Sequence, residues 1–327
     1  MPDLPEIQVN MRGMSMKEDY QVMVETYQEA GGKPDVFKDS NFAHLVVHKN
    51  KVLGSHLVPG LRLDAKETDN GVDIELTLEK GVRLANPVHL CFGVLPKEGR
   101  QEINVKALIK KDAEISILAH CVFPNAVKVQ HFMDGEIALE DNAVFRYDEV
   151  HYHGMTGGIE VIPRIKLEVG KGARLTMTFS LLKGRVGKLD VDYLAEVEEN
   201  GAVEMMAKAY GYGDDKIKIR ERGKLLGKGA KGLLKSRIAV RENADSEVIS
   251  ELEASAPNTR GHVDCIEIVQ GEAKARAVPL VNVTHEKAQV THEAAIGRVN
   301  QKELETLMAR GLKQEEAIDT IIKGMLT

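Results

Sequence analysis

Residues 111–121 read KDAEISILAHC, residues 141–151 read DNAVFRYDEVH, residues 171–181 read KGARLTMTFSL and residues 200–210 read NGAVEMMAKAY. Each stretch opens with a turn-forming pair and an alanine, then runs on in short strand-like segments rich in β-branched and other apolar residues alternating with polar ones. Alternation at period two sends every second side chain to one face, which is the pattern of a strand buried on one side. The alanines Ala113, Ala143, Ala173 and Ala202 are spaced 30, 30 and 29 residues apart. Lys80-Gly81-Val82 precedes the series by 31, and Asn243-Ala244 with Gly271-Glu272-Ala273 continue it after a gap of 42.

A fixed period near 30 means a repeat architecture. A leucine-rich repeat needs its own leucine spacing and a helical half, and a propeller blade needs about 40 residues. What fits is a right-handed parallel β-helix, in which each coil adds strands to the sheets beneath it and small aliphatic residues stack inside. The same alternation runs from about Leu45 to Thr291, as in Val72-Asp73-Ile74-Glu75-Leu76, without a capped amphipathic helix.

Helices flank this body. Ser15 and Glu18 form a capping-box pair ahead of Tyr20, Met23, Val24 and Tyr27 at helical spacing, and Gly31-Gly32 ends the run. Asn300 caps a second helix with the stripe Leu304, Leu307 and Met308, closed by Gly311. A third carries Ala317, Ile318, Ile321, Ile322 and Met325 on one face. The chain therefore divides into an N-terminal helical segment (1–44), a β-helix core (45–295) and a C-terminal helical domain (296–327). That last pair of helices either caps the final coil or forms a partner-binding lobe.

Composition narrows the functional classes. The 327 residues include 44 Lys+Arg and 50 Asp+Glu, a net charge of −6, so a strongly basic nucleic-acid binder is excluded and no anionic membrane is called for. Seven Tyr, seven Phe and no Trp leave the core to Val, Ile, Leu and Ala. Three cysteines are too few and too odd in number for a disulfide framework, and the start, MPDLPEIQVN, lacks the pattern of a secretory signal, so the cytoplasm is the expected compartment. Lys216 to Arg237, with nine basic residues against one acid, reads as an insertion filling the gap of 42, either a solvated basic edge or a patch for an acidic partner. Gly223-Lys224-Leu225-Leu226-Gly227-Lys228 is one residue short of a phosphate loop and Gly229 replaces its Ser/Thr, so no nucleotide is expected on this chain.

Candidate chemistry gathers around soft ligands. Cys91, Cys121 and His151 are each 30 residues apart, so one repeat per coil would stack them as a column along one sheet. His120, His151 and His153 are then the imidazoles that would lower the Cys121 thiol pKa. A second group is His262-x-x-Cys265 with Thr291-His292-Glu293, a thiolate, imidazole and carboxylate suited to iron or a nascent iron–sulfur cluster, though short of the four cysteines of a stable cluster site. No GxSxG, HExxH or paired-carboxylate signature argues for a hydrolase.

Arg260-Gly261-His262-Val263-Asp264-Cys265, then Thr291-His292-Glu293-Ala294-Ala295-Ile296-Gly297 and Leu304-Glu305-Thr306-Leu307-Met308-Ala309-Arg310-Gly311, resemble the C-terminal half of the SufB/SufD family of iron–sulfur assembly scaffolds in a short archaeal-type form. His151-Tyr152-His153-Gly154 and Gly184-Arg185-Val186-Gly187 resemble the same subgroup. The resemblance runs from about Val46 to the C-terminus.

It implies a parallel β-helix with a C-terminal helical domain on which a SufC ATPase of the ABC class docks, which favours the partner lobe and sets Leu304, Leu307, Met308, Arg310 and Gly311 as partner-binding positions. It also implies that two β-helix subunits pair near their C-terminal coils, where a transient cluster of iron and sulfide forms. By motif, Cys265 matches the cluster cysteine, His292 and Glu293 its His-Glu pair, and Cys121 the cysteine that receives sulfur; the spacing column that adds Cys91 and His151 to Cys121 is either a transfer path or packing. The sulfur donor is not identified by the motifs. Thr291 stands where SufB often has an acid, and the N-terminal region is short. With the cluster cysteine present, the chain resembles SufB more than SufD, and a homodimer is the expected assembly. The expected role is a non-enzymatic scaffold. A SufD-like stabilising subunit that ligates no cluster is the alternative, and a polysaccharide-active β-helix is disfavoured by the scarcity of aromatics.

Overall fold

The computed structural model describes residues 15–326, so the opening MPDLPEIQVN lies outside the described residues. Two sheets wind into a β-solenoid of about 8 turns with about 29 residues per turn. In the first sheet, strands such as Glu114–Phe123, Val144–His153, Arg174–Lys183, Ala202–Gly211, Lys231–Val240, Arg260–Val269 and Gln289–Gly297 lie in parallel order. The second sheet holds the alternate strands, from Leu61–Glu67 to Lys274–Val283. Along nearly every strand, buried positions alternate with open ones, as the period-two pattern requires.

Turn chemistry explains the repeat. Asp112, Asn142, Gly172, Asn200, Gly229 and Asn258 stand one coil apart, all with positive φ, and each is followed by a buried small residue that enters the lumen. Asn, Asp and Gly are the residues that adopt this left-handed conformation at least cost.

The gap of 42 is a change of column, with no insertion. Lys228-Gly229-Ala230 is the missing member, whereas Ala244 and Ala273 open strands of the second sheet, half a coil away. Register also places Gly201, rather than Ala202, opposite Ala173. Lys216–Arg237 is thus two ordinary strands joined by one turn, and most of its cations are paired, among them Arg222 with Asp192 at 2.5 Å, Lys224 with Glu196 at 2.9 Å, Lys235 with Glu204 at 2.9 Å and Arg237 with Asp264 at 2.5 Å. This matched surface ladder leaves little basic excess to attract an acidic partner.

Gly229 gives a direct test of the turn column. Its φ is +71°, and a β-carbon there would stand 2.6 Å from Asn200 Oδ1. Gly229→Val is expected to cost about 1–3 kcal/mol, read from the urea midpoint at unchanged slope. Gly229→Asn should be close to neutral, because Asn serves in the same column at 142, 200 and 258.

The helices pack on the outside of the first sheet. Helix α1 (Met16–Glu29) is capped by Ser15 and Glu18 as the sequence predicts, and it buries Met23 and Tyr27 against Val46, Cys91, Val122 and Tyr152. Helices α2 (Gln301–Ala309) and α3 (Gln314–Leu326) bury Leu304, Ala317, Ile318 and Ile322 against Tyr210, Tyr212 and Ala239. They lie along the flank of the solenoid and do not cap its last coil, which removes the capping alternative. No helix among the described residues is long and apolar enough to cross a membrane.

Candidate functional site

Strand Glu114–Phe123 turns Ile115, Ile117, Ala119, Cys121 and Phe123 inward, so the alternation that builds the core also puts the Cys121 thiol in the lumen. One coil on, Val144–His153 turns Phe145, Tyr147, Glu149, His151 and His153 the same way. Register sets Cys121 against His151 and Ala119 against Glu149. Glu149 Oε1 then lies 2.6 Å from His151 Nε2 and 3.9 Å from Cys121 Sγ, while Tyr193 donates to Glu149 Oε2 at 3.5 Å. Cys121, Glu149 and His151 are the three residues among those described that offer a thiol, a carboxylate and an imidazole within 4.8 Å of one another.

This environment acts on the thiol in the direction opposite to the sequence expectation. Burial pushes Cys121 well above the ordinary thiol range, and the neighbouring Glu149 carboxylate raises it further. His120 does not help, because adjacent residues of a strand face opposite ways: it points outward beneath α1, its ring 4.4 Å from that of Tyr27.

The column expected from Cys91, Cys121 and His151 is only partly formed. Cys121 and His151 are register partners, but Cys91 pairs with His120 and Phe92 pairs with Cys121. The coil between these strands is one residue shorter than the spacing of the cysteines, and a slip of one residue moves a side chain to the other face. Cys91 is therefore outside the lumen, buried under α1.

Cys265 is also an interior residue, with Ser250 Oγ at 3.7 Å and Ser236 as its register neighbour. Burial raises its thiol pKa, against the pull of the Ser236 and Ser250 hydroxyls. The final strand Gln289–Gly297 sets His292 against Val263, Glu293 against Asp264 and Ala294 against Cys265. His292 thus shares the inner side with Cys265, whereas Glu293, its neighbour in the strand, is turned to the outer side with His262 and Thr291, which bond at 2.8 Å. One chain alone does not close Cys265, His292 and Glu293 around a common point. Of the partner-binding positions, Leu304 is buried and Leu307 half-buried against the flank, and Met308, Arg310 and Gly311 are exposed.

Three interior acids escaped the sequence reading. Glu149, Glu221 and Glu267 are each 1% exposed, and burial pushes Glu221 up to about 8 and Glu267 up to about 7. Their signal was parity: each sits in the apolar phase of its strand, as Ile217, Ile219, Glu221 and Val263, Cys265, Glu267 show. Tyr193 and Glu221 are register partners, as are Glu221 and Ser250. A file of polar groups therefore runs inside the solenoid from Cys121 through Glu149, Tyr193, Glu221 and Ser250 to Cys265.

The lumen of this solenoid holds two thiols, imidazoles and acids, the donor types that sulfur and metal chemistry uses. Comparison with known proteins agrees. The SUF system FeS cluster assembly SufBD core domain matches residues 100–325. An iron–sulfur cluster assembly SufBD family protein of Methanocaldococcus jannaschii is 36% identical over 96% of this chain and 99% of its own length. One from Pyrococcus horikoshii is 34% identical over 94% of each chain. The chain belongs to the SufBD family of iron–sulfur cluster assembly proteins.

Proposed function

We propose that this chain is a SufB-like cytoplasmic scaffold on which iron and sulfide are joined into a nascent cluster, with the Cys265 thiolate as ligand and Cys121 as the residue that receives sulfur. The observation that carries the reading is the interior polar file, which gives sulfur a route between the two cysteines through an otherwise apolar lumen. His151 stands at its start and Cys91, on the outer face, takes no part.

A second copy of the chain completes the site. The last coil leaves Leu280, Val281, Val283 and Ile296 between 37% and 49% exposed, and both its strands are sheet edges among the described residues. An exposed apolar edge invites pairing with another strand. Glu293 and His292 of one copy then serve the Cys265 of the other, which answers the outward turn of Glu293 within a single chain. A SufC-like ABC-class ATPase docks on α2 through Met308, Arg310 and Gly311, over the Leu304 and Leu307 anchors. ATP is hydrolysed in that partner, and its motion is passed through α3 to the solenoid.

Anaerobic reconstitution with iron and sulfide tests this reading. Wild-type protein is expected to develop cluster absorbance, and Cys265→Ser to lose most of it while its far-ultraviolet circular dichroism is unchanged. Equal cluster content in the two proteins would remove Cys265 as ligand and leave the stabilising, SufD-like role.

A further inference from the structure

The Cys121 chamber has more ligating capacity than a sulfur relay requires. We propose that Cys121, Glu149 and His151 form a buried three-donor site for a divalent first-row transition metal ion. This site is separate from the one at Cys265, and the proposal does not rest on the scaffold reading.

The tautomers of the chamber histidines give the first argument. His153 Nδ1 lies 3.3 Å from the Arg185 carbonyl oxygen, and His153 Nε2 lies 3.1 Å from His151 Nδ1. A carbonyl only accepts, so His153 carries its proton on Nδ1 and offers the Nε2 lone pair to His151. His151 must then donate from Nδ1, which leaves its Nε2 as a lone pair aimed at a carboxylate oxygen 2.6 Å away. Two lone pairs cannot face each other at that distance without a cation between or beside them. One extra proton or a metal ion meets that need, and the thiol within 4.8 Å of both atoms supplies the third donor that a metal ion uses and a proton does not.

The donor set fits such an ion. Ligand bonds of about 2.0 Å to N and O and 2.3 Å to S put tetrahedral donor atoms roughly 3.3–3.8 Å apart. Glu149 Oε1 lies 2.6 Å from His151 Nε2 and 3.9 Å from Cys121 Sγ, and all three donors fall within 4.8 Å of one another, so side-chain shifts of about 1 Å bring them to that range. One thiolate, one carboxylate and one imidazole suit zinc, ferrous or cobaltous ions, and do not suit calcium or magnesium, which take oxygen donors. Charge also balances: a thiolate and a carboxylate neutralise M²⁺, whereas either anion alone is costly in this lumen. On binding, the Cys121 S–H proton leaves to solvent and an S–metal bond forms, with no electron transferred.

His131 supplies an independent pointer. It is 1% exposed, neither ring nitrogen has a hydrogen-bond partner, and its ring centroid is 6.0 Å from that of His151 on the facing sheet. An unsatisfied buried polar group costs about 1–3 kcal/mol, so the His131 ring marks the chamber wall as polar beyond the three donors. Around the donors, His153 orients His151 and Tyr193 holds the second oxygen of Glu149, the kind of outer support that metal ligands require.

The test is an anaerobic titration of chelator-stripped full-length protein with Co²⁺ alone, which reports a thiolate ligand through a charge-transfer band in the near ultraviolet. Wild type is expected to take up one Co²⁺ per chain with that band. Cys121→Ser should lose the band, Cys265→Ser should keep it, and His153→Gln, which removes the support to His151, should weaken Co²⁺ binding by about 10- to 100-fold, the range seen when support to a metal ligand is removed. Glu149→Gln, close in shape to the native side chain, should weaken binding to a similar degree and serves if Cys121→Ser does not fold. Absence of the band in wild type, or its persistence in both Cys121→Ser and Glu149→Gln, overturns the proposal. A band lost in Cys265→Ser alone assigns the metal to the scaffold site instead. Cluster reconstitution can fail while Co²⁺ binding at Cys121 persists, so the two readings fail separately.

Discussion

Lowering the pH from 7 to 5 is expected to lift helix α1 off the solenoid while the coils stay folded. Beneath this helix the outer face of the first sheet carries His44, His89 and His120, each at least nine-tenths buried and each with one ring nitrogen unpartnered. His89 Nδ1 and the Tyr27 hydroxyl share a hydrogen bond at 2.8 Å, which ties this ring to the helix. Burial, and then neighbouring imidazoles, push both His89 and His120 down to about 4 from an ordinary 6.5, and His44 is lowered by burial and by His56. His48, lowered mainly by burial, is opposed by Asp19 of the same helix at 3.5 Å.

The sign follows from which state binds more protons. With the helix displaced, these rings titrate near 6.5, so between about pH 6.5 and 4 the open state holds protons that the closed state excludes. Closure is at full strength above pH 6.5 and weakens as pH falls through that window. For His89 and His120 together the loss by pH 5 is at most about 4 kcal/mol, since each tenfold difference in proton affinity between the open and closed states is worth about 1.4 kcal/mol. Hydrogen exchange of the Met16–Glu29 amides, corrected for intrinsic rates, checks it. Protection that is the same at pH 7 and pH 5 would sink the idea, and His89→Gln with His120→Gln should flatten the pH dependence.

The outer histidine cluster shows what the sequence could and could not reveal. The coil period was legible because turn residues with positive φ recur at fixed intervals, and the helix caps were legible because Ser15-x-x-Glu18 and Asn300 act locally. What failed was phase. Ala202 in place of Gly201, and Ala244 in place of Ala230, are errors of one residue and half a coil, and both keep the period looking sound. At the site an error of phase is decisive, since one residue separates the lumen from the surface: it sends Cys91 and His120 under α1 and brings Glu149 beside Cys121. The thiol expected to be activated by imidazole is instead held protonated by burial and, after that, by a carboxylate that lies 28 residues away in sequence. Spacing predicts which residues share a coil position, and only the register of the strands decides which face they share.

The C-terminal helices depend on one cation. Arg241 leaves the end of strand Lys231–Val240 and donates to Asp319 Oδ1 at 2.6 Å, bonds the Tyr210 hydroxyl at 3.2 Å and pairs with Glu315. Tyr210 also donates to Asp319 Oδ1 at 2.6 Å. The Arg241 and Asp319 side chains are 15% and 12% exposed, so the pair is largely removed from water. Arg241→Ala leaves the Asp319 carboxylate buried with a single neutral donor, and breaking such a pair costs about 3–5 kcal/mol. Apolar packing by Ala317, Ile318 and Ile322 is what remains to hold α3 on the flank. The Gln314–Leu326 amides should therefore exchange about 100- to 4,000-fold faster, since each 1.4 kcal/mol is a factor of ten. Amides of the coils between Glu114 and Val197 should be unaffected. The double variant Arg241→Met with Asp319→Leu, which leaves no orphaned charge, should recover much of the protection. If Arg241→Ala alone leaves α3 exchange unchanged, the ion pair is not what fastens the helix, and apolar contact holds it instead. If α3 is released and ATPase binding persists, the partner does not engage these helices as proposed.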